Sequence, residues 1–180
     1  MPHASKTPSP LGQAASSLQA LKIIDAPRLS VNLNKVALLR NSRRTGVPDL
    51  LHFADLAYEF GANGITVHPR PDQRHIREDD VYLLAERMKP WRPGFELNIE
   101  GYPDDRLFRI VEAVRPEQCT LVPDSPTAFT SEEGWKFDAR DTPVNMRDAV
   151  TAFRQIAGRV IVFIDPEPSV IAGAVPRQRL

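Results

Sequence analysis

The segment Asp49-Leu-Leu-His-Phe-Ala-Asp-Leu-Ala-Tyr-Glu-Phe60, continuing as Gly61-Ala-Asn-Gly-Ile-Thr-Val-His68, decides the fold. Its first half sets Leu50, Phe53, Ala54, Ala57 and Phe60 on one helical stripe, with Gly61 where a C-cap belongs. Its second half is a short apolar run, Gly64–Val67, that ends on an imidazole. A helix, a tight turn and a short strand form the repeating unit of parallel α/β proteins.

The same unit recurs on either side. Strands are expected at Leu29–Leu33, Gly64–Val67, Phe95–Ile99, Gln118–Val122 and Arg159–Ile164, with the Val, Ile and Leu content of strands buried on both faces. Helical stripes run through Asp80–Lys89 (Val81, Leu84, Ala85, Met88), Asp105–Val114 (Leu107, Ile110, Val111, Val114) and Asn145–Ala157 (Met146, Ala149, Val150, Phe153, Ile156). Most of the 17 prolines fall between these elements and act as punctuation. Right-handed crossovers leave two closures, an open doubly wound sheet or a (β/α)8 barrel. At 180 residues the length favours the open sheet, because a complete barrel takes about 250.

Composition narrows the partners. Lys+Arg and Asp+Glu both total 23, and the 42% hydrophobic content is that of an ordinary globular domain. A general nucleic-acid or membrane-surface binder would be visibly basic, so neither partner is expected. No apolar run approaches the roughly 20 residues of a membrane span. The single cysteine, Cys119, cannot pair within the chain and points to a reducing cytoplasm. Residues 1–28, rich in Pro, Ser and Ala with no acid before Asp25, read as a disordered extension, with a short helix over Ala14–Ile24.

The chemistry gathers after each strand. The first runs into Asn32 and Asn34-Lys35, the second ends at His68-Pro69-Arg70, the third at Glu100, the fourth at Pro123-Asp124 and the fifth at Asp165. In parallel α/β folds ligands bind at these carboxyl ends. His68 is a candidate base because imidazole titrates near neutrality. Glu100, at a buried strand end, is either salt-bridged structure or a tuned base. Between Asp25 and Asp49 stand Arg28, Lys35, Arg40, Arg43 and Arg44 without an acid, and Arg70, Arg74, His75 and Arg77 form a second group. Two positive zones suit small phosphorylated ligands.

Several stretches together resemble the pyridoxine 5'-phosphate synthase family. They are Ser30-Val-Asn-Leu-Asn-Lys-Val-Ala-Leu-Leu-Arg-Asn-Ser-Arg43, Gly61-Ala-Asn-Gly-Ile-Thr-Val-His-Pro-Arg-Pro-Asp-Gln-Arg-His-Ile76, Leu97-Asn-Ile-Glu100, Thr120-Leu-Val-Pro123, Phe129-Thr-Ser-Glu132 and Phe163-Ile-Asp165. The resemblance covers about Leu29 to Ala174. It implies a TIM barrel, of which residues 29–174 hold about the first five βα units, the alternative being an open five-stranded parallel sheet. It implies condensation of 3-amino-2-oxopropyl phosphate with 1-deoxy-D-xylulose 5-phosphate in vitamin B6 biosynthesis, in a cytoplasmic homo-oligomer, with no metal or organic cofactor. By the same resemblance His68 and Glu100 are the proton acceptors. Asn32 and Arg43 contact the amino ketone phosphate, while Arg70, His75 and Thr130 hold the deoxyxylulose phosphate.

Two departures from the family pattern stand out. Asn34-Lys35 occupies a place where many members carry Asp-His; both residues remain able to bind substrate, asparagine by hydrogen bonds and lysine as a point charge. The chain also stops after the fifth strand, whereas the family continues through three more that supply a general-acid histidine and glycine-rich phosphate-binding segments. Residues 175–180 read as an atypical tail. A truncated barrel with open edges is expected to be poorly folded or oligomeric and inactive by itself. The alternatives are a non-catalytic phosphometabolite-binding remnant and a fragment that needs a complementary chain.

Overall fold

A computed structural model describes residues 27–124, 133–136, 144–168 and 170–171. Of the expected extension over residues 1–28, the part up to residue 26, with its helix at Ala14–Ile24, lies outside the described residues, as does the tail at 175–180. The elements run β1 (Ser30–Asn32), α1 (Asn34–Asn41), α2 (Leu50–Glu59), β2 (Gly64–Val67), α3 (Glu78–Met88), β3 (Glu96–Gly101), α4 (Asp105–Val114), β4 (Gln118–Leu121), α5 (Met146–Phe153) and β5 (Arg159–Val162). All five expected strands form, within a residue or two of their expected bounds.

The strands pair in parallel in the order β1-β2-β3-β4-β5. A doubly wound sheet reverses direction at a switch point, and this one does not. Right-handed crossovers that always step the same way put every helix on one face. Accordingly, neighbouring helices α1, α2, α3 and α4 pack side by side. This is the arrangement of part of a TIM barrel.

The core lies between sheet and helices. Ile65, Val67, Leu97, Ile99, Cys119 and Leu121 meet Ala54, Val81, Leu84, Met88, Leu107, Ile110 and Val111 there, all buried. Caps fix the helix starts: Asp49 accepts from the Leu51 N–H (3.0 Å), and Asp104 from that of Leu107 (2.8 Å). Gly61, at φ +81°, ends α2 in the left-handed region, as its position after the apolar stripe predicts. Gly64 has a different reason: a Cβ there would run into the carbonyl oxygen of Glu96 on the paired strand.

Two features add to the sequence reading. Strands β2, β3 and β4 are buried on both faces, as expected, but the second face is polar. The alternate positions Ser30, Thr66, Asn98, Thr120 and Gln118 form a hydrogen-bonded row, Ser30–Thr66 2.7 Å, Asn98–Thr66 3.2 Å, Thr120–Asn98 2.9 Å and Gln118–Thr120 3.3 Å. In place of aliphatic packing, each hydroxyl and amide on this face satisfies its neighbour. The second is α1, which the apolar pattern does not announce. Ala37 is its one buried residue, and Leu38 and Leu39 are exposed. It starts instead from a side-chain turn in which Asn32 Oδ1 accepts from the Asn34 N–H at 2.8 Å.

Candidate active site

The carboxyl ends of the strands enclose a cleft of about 650 Å³ lined by Asn32, Asn34, Lys35, Leu38, His68, Arg70, Arg74, His75, Glu100, Val122 and Phe163. Parallel strands project their last residues in one direction, so residues far apart in sequence meet here. Asn34 ties the first two strand ends together, its Oδ1 accepting the His68 backbone N–H at 2.8 Å. Behind the cleft sits Asp124, just past β4. Its Oδ2 accepts from Arg70 Nη1 at 2.7 Å and lies 3.7 Å from His68 Nδ1. All three side chains are buried.

Burial moves the two candidate bases in opposite directions. His68 is pushed down to about 4, first by loss of water; Asp124 opposes this, while His75 and Arg70 add to it. Glu100 is pushed up to about 7, again first by burial and then by the Asp124 carboxylate. An ordinary imidazole would titrate near neutrality, but here the carboxyl does so and His68 is a neutral base at pH 7. Glu100 makes no ion pair among the described residues, which favours the tuned base over the salt bridge. His75 is also held below the usual imidazole value, by burial and then by Arg70. Its Nδ1 accepts the Ile76 N–H at 2.9 Å, so the neutral ring carries its proton on Nε2.

The loop carrying Arg70, Arg74 and His75 is pinned from behind. Asn41 Nδ2 donates to the carbonyls of Arg74 (3.1 Å) and His75 (2.7 Å), and Asn41 Oδ1 accepts from Arg40 Nε (3.1 Å). Arg40 in turn grips Asp80 with both nitrogens, at 2.7 and 2.8 Å, and Asp80 caps α3 by accepting the Arg77 N–H at 2.7 Å. The short helix α1 is thus a brace for the loop that carries Arg70, Arg74 and His75.

Asn32, Asn34, Lys35, His68, Arg70, His75 and Glu100 all line one cleft. Arg43 does not; it is exposed beyond α1, and its side chain makes no hydrogen bond or ion pair among the described residues. Thr130 lies outside the described residues. The first cationic zone does not hold together as a zone. Arg28 pairs with Glu96 at the opposite end of the sheet (3.0 Å) and Arg40 is taken by Asp80, so Lys35 alone of that group faces the cleft. Asp165 accepts the Gly134 N–H at 2.7 Å and serves the backbone of that neighbouring segment. Asp124 was visible as a polar strand end, but its junction with Arg70, 54 residues away, carries no local signal.

Residues 29–178 match the model of the family described as pyridoxal phosphate biosynthesis protein PdxJ. The chain is 47% identical over 138 residues to the pyridoxine 5'-phosphate synthase of Agrobacterium fabrum, covering 77% of this chain and 54% of that relative. It is 45% identical over 150 residues to the synthase of Allorhizobium ampelinum (83% and 59% covered) and 47% over 147 to that of Porphyromonas gingivalis (82% and 59%). The chain therefore spans between half and three-fifths of the length of these curated relatives.

Proposed function

The chain belongs to the PdxJ family, and on that premise we propose that the whole protein is a pyridoxine 5'-phosphate synthase. It joins 3-amino-2-oxopropyl phosphate to 1-deoxy-D-xylulose 5-phosphate in the cytoplasm, as a homo-oligomer. The observation that carries this reading is one cleft holding two proton-handling groups, His68 and Glu100, beside Lys35, Arg70, Arg74 and His75.

The chemistry asked of such a site is imine formation, several proton transfers and loss of phosphate. Arg70 and His75, with Asn34 and Lys35, hold the deoxyxylulose phosphate, the imidazole donating through Nε2–H. Thr130 joins them by the resemblance. Asn32 takes the amino ketone side, with Arg43 assigned to its phosphate by the same resemblance. Holding both partners converts a bimolecular step into an oriented one, worth up to about 7–11 kcal/mol of barrier. His68, neutral at pH 7, removes protons; Glu100, with a pKa of about 7, takes and returns them.

The test is condensation itself. The whole protein given both substrates should form pyridoxine 5'-phosphate and release inorganic phosphate, and His68→Gln and Glu100→Gln in it should each abolish product while leaving binding measurable by calorimetry. Unchanged turnover in both variants would reject the assignment. Binding of both substrates without product by the unsubstituted protein would leave a phosphometabolite-binding protein in its place.

A further inference from the structure

We propose that Asp124 is a positioning residue of this site: its carboxylate, held by Arg70, faces the Nδ1 edge of His68, fixes the imidazole proton there and leaves Nε2 to accept the substrate's proton. The inference deepens the proposed function and rests on the reading of His68 as a base.

The geometry gives Asp124 little freedom. It is 6% exposed, and its Oδ2 is shared between the Arg70 guanidinium at 2.7 Å and His68 Nδ1 at 3.7 Å. The shorter contact is a charge-assisted hydrogen bond that fixes the carboxylate. The longer one is an electrostatic contact whose sign favours an N–H over a lone pair at Nδ1. The ring's other edge is then left for the cleft that His68 lines. A base oriented by a third group is the general logic of activated sites. The neighbouring His75, with ring centroids 5.9 Å apart, holds the opposite tautomer because Ile76 N–H occupies its Nδ1. One ring therefore presents a donor, suited to a phosphate oxygen, and the other an acceptor, suited to a carbon or nitrogen acid.

Among the described residues the charged groups around the pair are these. His68 faces Asp124, Arg70, His75 and Asp72, and shares its cleft with Glu100, Lys35 and Arg74. Asp124 faces Arg70, His68 and Glu100, with Asp104 and Arg106 across a small cavity behind it. Asp124 is the carboxylate that acts on both candidate bases, raising His68 and Glu100 alike.

Nitrogen-15 NMR of the unsubstituted chain at pH 7 tests the assignment without turnover. His68 should show the Nδ1–H tautomer while His75, an internal control, shows Nε2–H; an Nε2–H majority at His68 overturns the proposal. In Asp124→Asn, His68 should titrate below its value of about 4 and Glu100 below about 7. Loosening of the fold would give a different pair of shifts, because restored hydration raises His68 while lowering Glu100. A His68 value that stays or rises in a folded variant also overturns the proposal, and if the variant does not fold the tautomer measurement decides by itself. Loss of synthase activity bears on neither readout, so failure of the proposed reaction and failure of this inference are separable.

Discussion

Replacing Glu100 by Gln should stabilise the protein, and only at high pH. The folded-state pKa of about 7, against an ordinary value of 4.5, means that the folded protein keeps a proton that the unfolded chain has released. For an acid raised in this way, stability is lost as pH climbs from 4.5 to about 7; the penalty is complete above that window and absent below it. The shift corresponds to about 3 kcal/mol at pH 8, reduced by the water that reaches Glu100 at the cleft mouth. Gln keeps the shape and cannot ionise, so whatever its amide costs is independent of pH. Urea unfolding of both proteins at pH 4 and pH 8 isolates the effect. The gap in unfolding free energy between variant and parent should widen by about 2–3 kcal/mol towards pH 8. With a urea dependence of roughly 2 kcal/mol/M, that moves the midpoint by about 1 M or more. A gap that is the same at both pH values would show that Glu100 ionises as freely in the cleft as in water, and the reasoning from burial would fail.

The mirror case is His68, whose depressed value of about 4 costs stability as pH falls from 6.5 to about 4. His68→Gln should therefore lose less stability on acidification than the parent, by about 3 kcal/mol, and equal acid sensitivity would refute the shift. Asp80→Asn leaves the Arg40 guanidinium buried without its counter-charge and should cost about 3–5 kcal/mol. Replacing both residues together, as Arg40→Met with Asp80→Leu, should recover most of that loss in urea melts; equal instability of single and double variants would refute the ion-pair account. Gly64→Ala forces a methyl against the Glu96 carbonyl, and Tm should drop by roughly 5–10 °C. A drop below about 1 °C would mean that β2 and β3 can separate at little cost.

How much of this was legible in the sequence depends on the range of the interaction. The helices α2 to α5 and all the strands announce themselves because burial of one face imposes a short period on the chain. Alternation within Ile65-Thr66-Val67 and Leu97-Asn98-Ile99 was also present, yet in such short runs, buried on both faces, it does not show how the polar positions are satisfied. Only the lateral row from Ser30 to Gln118 reveals the polar face, and that row joins four strands. The cleft followed from a rule about strand ends, which needs no knowledge of contacts. The pairings Arg40–Asp80 and Arg70–Asp124 span 40 and 54 residues and decide which cations remain available to a ligand. Counting bases along the chain therefore overstated the first positive zone.

The arrangement also explains why a site with this much charge around it holds its two candidate bases neutral. Between about pH 4 and pH 7 the cleft contains an uncharged imidazole and an uncharged carboxyl group. Desolvation favours the neutral form of each, and the nearby guanidinium groups of Arg70 and Arg74 are offset by Asp124 and Asp72. A dianionic phosphate seated at Arg70, Arg74 and His75, as the proposed function requires, would change that balance. Its negative charge stabilises the imidazolium, so His68 becomes the stronger base once the ligand has arrived. The same charge disfavours the Glu100 carboxylate and keeps that group a proton donor. Under the proposed function, burial withholds ionisation until a substrate brings the charge that rewards it, and the neutral pair becomes a base and an acid in the same event.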